Sequence, residues 1–104
     1  MIIVTTDQVP GKEIKEWKGF VKGNTIQTKH FGKDIMAGLK NLVGGEIADY
    51  TEMMTQARQV AIGRMVKDAE EKGANAIVGC RLQTSSVMNS ASEVIAYGTA
   101  VIVE

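Results

Sequence analysis

The stretch Glu70-Glu71-Lys72-Gly73-Ala74-Asn75-Ala76-Ile77-Val78-Gly79-Cys80-Arg81 carries the chain from a helical pattern to a strand pattern through a single glycine turn. Upstream of it, Met53, Ala57, Val60, Ala61, Met65 and Ala69 recur at helical spacing, with Met54 and Ile62 at the margins of the stripe. That pattern predicts a helix from about Asp49 to Lys72, stopped by Gly73. Downstream, Ala76, Val78, Cys80 and Leu82 alternate with Ile77, Gly79, Arg81 and Gln83, which predicts a strand over 76–84. A helix of this length spans roughly 35 Å at ~1.5 Å per residue, and a small sheet leaves such a rod overhanging.

Working outward, Met1 to Thr5 is a short β-branched first strand, followed by the turn signal Pro10-Gly11. Glu13 to Thr28 alternates imperfectly. Ile14, Glu16, Lys18, Phe20 and Lys22 fall on one side, and Lys15, Trp17, Gly19 and Val21 on the other. Gly23 predicts a turn or bulge that splits this run into two strands. From Gly32 to Val43 the spacing turns helical again, with Ile35, Leu39, Leu42 and Val43 on one face, Asp34 near the start and Gly44-Gly45 at the stop. The polar run from Thr84 to Ser92 reads as a loop. Glu93 to Val103 is the last strand, apolar on both faces, so it demands cover on both sides.

These elements define an α+β domain over residues 1–104, a mainly antiparallel sheet with two helices on one face. The other face then calls for a second subunit. The 104 residues are 44% apolar and 23% charged, the composition of a folded domain. Twelve basic residues balance twelve acidic ones, so no net field draws the chain to nucleic acid or anionic lipid. No apolar run approaches the ~20 residues that cross a bilayer. The apolar start is too short for a signal peptide and reads as a strand. A lone Cys80 allows no intrachain disulfide, which fits a reducing cytoplasm.

In this order the elements resemble the YbjQ family, small bacterial and archaeal proteins catalogued as "putative heavy-metal-binding". The resemblance rests on Gly19-Phe20-Val21-Lys22-Gly23 and on Asp34-Ile35-Met36-Ala37-Gly38-Leu39-Lys40-Asn41-Leu42-Val43-Gly44-Gly45. It continues through Tyr50, Ala57-Arg58, Gly73-Ala74-Asn75-Ala76-Ile77-Val78-Gly79 and Gly98-Thr99-Ala100-Val101. It implies helices on one face of a mainly antiparallel sheet and a ring-like homo-oligomer, a pentamer. Two positions depart from the family pattern. An aliphatic residue is common where Cys80 stands, and an acidic one where Thr51 follows the tyrosine.

The residues themselves support little chemistry. Soft metals want paired thiolates or clustered histidines. One cysteine, one histidine (His30) and six methionines make no such pattern. Cys80 reads as a buried small hydrophobe and the helical methionines as packing. A metal site would have to be assembled by symmetry, one ligand repeated around a ring. Gly44-Gly45 follows a helix where an anion cradle precedes one, and Gly73 to Gly79 lacks the lysine and hydroxyl of a phosphate loop. The strand glycines Gly79 and Gly98 read as bulges or as points where helix and sheet approach closely. Ser85, Ser86, Ser90 and Ser92 fall in the expected polar loop, a poor mount for a nucleophile. No catalytic residue and no cofactor is assigned.

The best polar constellation is Tyr50, Glu52, Arg58 and Arg81. It reads either as an arginine–carboxylate fork at a subunit seam or as a pocket for a small anionic ligand. The expectation is therefore a cytoplasmic homo-oligomer that binds a small ligand or metal ion at a subunit interface. A ring with a purely structural or partner-binding role is the alternative, and an enzyme using Glu52 with Arg81 is third.

Overall fold

The computed structural model describes residues 1–28, 48–88 and 91–104. Among these, β1 (Ile2–Ile3), β2 (Ile14–Thr28), β3 (Ala76–Met88) and β4 (Ala91–Val103) form one sheet in the order β1-β3-β4-β2. β1 runs parallel to β3; the β2–β4 and β3–β4 pairs are antiparallel. The helix α1 (Ala48–Glu71) lies on one face. This is the expected α+β layering. The predicted helix over 32–43 lies outside the described residues.

The junction between α1 and β3 folds as a Schellman stop. Gly73 adopts φ 79°, its N–H donates to Glu70 O at 2.9 Å, and Ala74 N–H donates to Ala69 O at 3.1 Å. Asn75 then does more than turn the chain. Its side-chain amide exchanges two bonds with the main chain of Val103, at 2.9 and 2.8 Å, extending the sheet by one side chain.

Ala57, Ala61, Met65 and Ala69 form the fully buried stripe of α1, packed on Val21, Ile77, Cys80, Val94, Ala96 and Ala100. Val60, read as part of that stripe, is instead 39% exposed, because the strict four-residue row faces the sheet and position 60 turns off it. Small side chains bring α1 very close. A Cβ on Gly23 would collide with Ala61 O, Met65 N and the Arg64 carbonyl carbon. So Gly23 is neither a turn nor a break: β2 runs unbroken from Ile14 to Thr28, and this glycine is where helix and sheet meet. Of the two readings of Gly79, the bulge holds: it takes φ 60° there, with open space where a close approach would crowd it. Val78 pairs with Thr99 and Arg81 with Tyr97, so Gly79 and Cys80 together face Gly98. A Cβ on Gly98 would sit 2.7 Å from Ile77 Cγ2, which explains that glycine through β3 and not through α1.

Two further bulges, between Ile14 and Glu16 and between Trp17 and Gly19, cause the imperfect alternation of β2. Each inserts one residue and reverses the facing of the residues after it. Trp17 pairs with Val101 and Phe20 with Thr99, so both side chains share the face away from α1, where strict alternation would have separated them. Phe20 and Tyr97 meet there with ring centroids 6.4 Å apart.

The face away from α1 is partly covered from within the chain. Val9 seals Ala76, Val78, Val101 and Val103, with Ile2, Val4 and Ile14 at the margin. The expectation that this whole face needs a second subunit is corrected to that extent. Beyond the seal, Trp17 stays 62% exposed and Phe20 61%. The predicted loop over 84–92 is also corrected. Thr84 to Met88 continue β3 and Ala91 begins β4, because β4 supplies a ladder that polar side chains on an exposed ribbon do not oppose.

Candidate functional site

The sheet separates the residues singled out from sequence. Arg81 emerges from β3 just after the Gly79 bulge, on the face opposite Cys80 and α1. Its Nη1 donates to Thr5 O and Cys80 O, both at 2.9 Å, and so ties the N-terminal segment to the sheet. Glu52 and Arg58 are exposed on α1, across the sheet from Arg81, and Tyr50 stands in the first turn of that helix. Among the described residues no hydrogen bond or ion pair joins Glu52, Arg58 and Arg81 within one chain. Among the described residues Arg81 uses Nη1 alone of its five-donor fork.

Among the described residues no three His, Cys, Asp or Glu side chains gather as a metal site. His30 lies outside them. Cys80 is buried, and burial pushes its thiol pKa up, with the Arg81 charge opposing only in part. A thiol kept protonated is a poor soft-metal ligand, and Cys80 is the chain's single cysteine. The described residues of one chain therefore do not fit a heavy-metal centre. No described helix is long and apolar enough to cross a membrane.

One concavity escaped the sequence reading. A half-open cavity of about 460 Å³ lies where the N-terminal segment meets the start of β2, lined by Asp7, Gln8, Lys12, Glu13, Ile14 and Trp17. The indole of Trp17 forms an apolar wall among polar groups, while Glu13 is held by Lys15 at 3.1 Å. The Pro10-Gly11 turn was legible. The bulge between Ile14 and Glu16, which turns Trp17 to the side of Ile14, was not.

The chain matches the YbjQ family, described as "Putative heavy-metal-binding", over residues 1–104, and it belongs to that family. It is 65% identical over 104 residues to the UPF0145 protein of Halalkalibacterium halodurans, covering 100% of this chain and 98% of the relative. It is 61% identical to UPF0145 proteins of Vibrio parahaemolyticus, over 97% of this chain and 96% of that one, and of Clostridioides difficile, over 100% and 93%. The fold is similar to the crystal structure of a DUF74-family protein of unknown function from Pediococcus pentosaceus. There the TM-score is 0.67 at 21% identity, covering 100% of this chain and 98% of that one. That likeness supports the fold alone.

Proposed function

We propose that this protein is a cytoplasmic, homo-oligomeric binding module, a ring of five copies, with a small-ligand or metal-ion site at the seam between subunits. The observation that carries the reading is apolar surface left in water. Trp17, Phe20, Ile26, Leu82, Val87 and Met88 are 62%, 61%, 56%, 46%, 46% and 67% exposed. Trp17, Phe20 and Ile26 share the sheet face away from α1, where a second copy can cover them. The five-fold number comes from the family resemblance.

The seam reading also accounts for the scattered polar residues. Glu52 and Arg58 on the helix of one copy and Arg81 on the opposite sheet face of the next are brought together only by association, with Tyr50 beside them in α1. An arginine fork offered to such a seam suits a carboxylate or phosphate group. A metal ion would need one ligand repeated by symmetry.

Light scattering and titration calorimetry test this. A mass several times 11.2 kDa is expected. So is heat on titrating zinc, copper, nickel or inorganic phosphate that disappears with Arg81→Ala. A monomer at micromolar concentration would sink the assembly. An oligomer giving no heat and holding no stoichiometric metal would favour the second reading, a partner-binding or structural ring. That reading draws on the same apolar surface. The UPF0145 relatives carry no enzymatic name, which fits a non-catalytic protein.

A further inference from the structure

We propose that the half-open cavity beside the Pro10-Gly11 turn is a binding site for a free amino acid with an apolar side chain. This goes beyond the seam reading, because all six lining residues belong to one chain and the site needs no second copy. The walls stand before any ligand arrives. Lys12 N–H donates to Val9 O at 3.1 Å and Gly11 takes φ 78°, which closes a type II turn over Pro10-Gly11. Val9 anchors that turn in the small apolar cluster with Val101 and Val103. On one side Thr6 Oγ1 donates to Gln8 O at 2.6 Å. On the other, the main chains of Glu13 and Glu104 exchange two hydrogen bonds, both at 3.0 Å, and Ile14 and Trp17 pair with Val103 and Val101. A pocket fixed in this way loses little freedom when it is filled.

The charges lining the cavity define its occupant. Glu13 is held by Lys15 at 3.1 Å, while Asp7 and Lys12 join none of the ion pairs among the described residues. The cavity therefore offers one carboxylate and one ammonium beside the indole of Trp17 and the side chain of Ile14. An α-amino acid carries the complementary pair on a single carbon. Its ammonium suits Asp7, its carboxylate suits Lys12, and an apolar side chain suits the indole and Ile14. Gln8 adds an amide that both donates and accepts. The volume of about 460 Å³ is within the ~300–1,000 Å³ of small-molecule sites. Trp17 is 62% exposed, so its wall is apolar area that a ligand can cover.

Other small molecules leave a mismatch. A phosphate or a simple carboxylic acid meets Asp7 and Glu13 as like charges, and a simple amine meets Lys12 as one. An uncharged apolar molecule covers Asp7 and Lys12 without giving either a partner.

The test follows the fluorescence of Trp17, the chain's single tryptophan, while L-leucine or L-phenylalanine is titrated into the full chain through the millimolar range. Isoamylamine and phenethylamine lack the carboxylate, isocaproate and hydrocinnamate lack the ammonium, and glycine lacks the apolar body. The expected result is a saturable change with at least one of the two amino acids. Binding of each matched analogue should be about threefold weaker or more, the factor that a partly exposed charge pair supports. Asp7→Asn and Lys12→Gln, both at exposed positions, should weaken binding by a similar factor while far-UV circular dichroism stays that of the parent. No saturable change with either amino acid overturns the site. So does equal binding of the amine, the acid or glycine, or unchanged binding in either variant. Light scattering on the same samples reports the oligomer separately, so loss of this site leaves the seam reading standing and a monomeric parent leaves the site standing.

Discussion

The main-chain N–H of Lys22 and the carboxylate of Asp68 meet at 3.2 Å, so a helix side chain closes the edge of a strand 46 residues earlier in the chain. The same carboxylate takes Lys72 Nζ at 2.8 Å. One acidic side chain thus serves as strand cover and as partner in the last helical turn. The arrangement exists because α1 crosses close over β2 at Gly23.

Gly23→Ala inserts a methyl where the backbone of Ala61, Arg64 and Met65 already stands. No side chain can yield, so α1 must lift from the sheet. The expected cost is about 3 kcal/mol, the upper part of the range for overpacking. A urea-unfolding midpoint close to the parent would show that helix and sheet separate more easily than this packing implies.

Asp68 has its pKa lowered, first by the hydrogen bond from Lys72 and then by the Lys22 N–H, with burial opposing. A folded-state pKa below the unfolded value stabilises the protein above the unfolded value, near 3.9. That contribution is lost as pH falls through the folded value. Asp68→Asn should therefore lower stability at pH 7 and narrow the gap to the parent below about pH 4. Melting temperatures measured from pH 3 to 7 check this, and a gap that widens in acid contradicts it.

Cys80 is buried and its thiol is pushed up from the ordinary cysteine value. Native protein should react with a thiol reagent such as DTNB at pH 7.5 at least tenfold more slowly than urea-unfolded protein. Equal rates would mean that Cys80 is accessible and ionised, and would reopen the case for a sulfur ligand.

Much of the fold was legible because local chemistry decides it. Gly73 halts α1 wherever the helix packs, since the left-handed cap suits a residue without Cβ. The apolar residues of β4 demand two covered faces in any arrangement. The β3 extension over Thr84 to Met88 was illegible for the converse reason. Its polar side chains carry a loop signal, and only the ladder offered by β4 makes that segment a strand.

The candidate residues divide in the same way. Arg81 was placed correctly opposite Cys80, because alternation next to the bulge preserves that relation. Its grip on Thr5 O was not foreseeable, since it joins segments 76 residues apart. Trp17 was grouped with Val21 and apart from Phe20, and the register places it on the side of Phe20. Each bulge shifts alternation by one residue, and nothing within β2 announces where its partner strand will absorb the extra length.

By itself the sequence determined the helix stop, the amphipathic stripe, the α+β class and the family, all of which rest on spacing within a few residues. Tertiary structure decided which glycine admits the helix, which edge α1 closes, and that Glu52 and Arg58 stand across the sheet from Arg81. Those outcomes depend on contacts between segments distant in the chain, where backbone approach and strand register select among options that local propensity leaves equal.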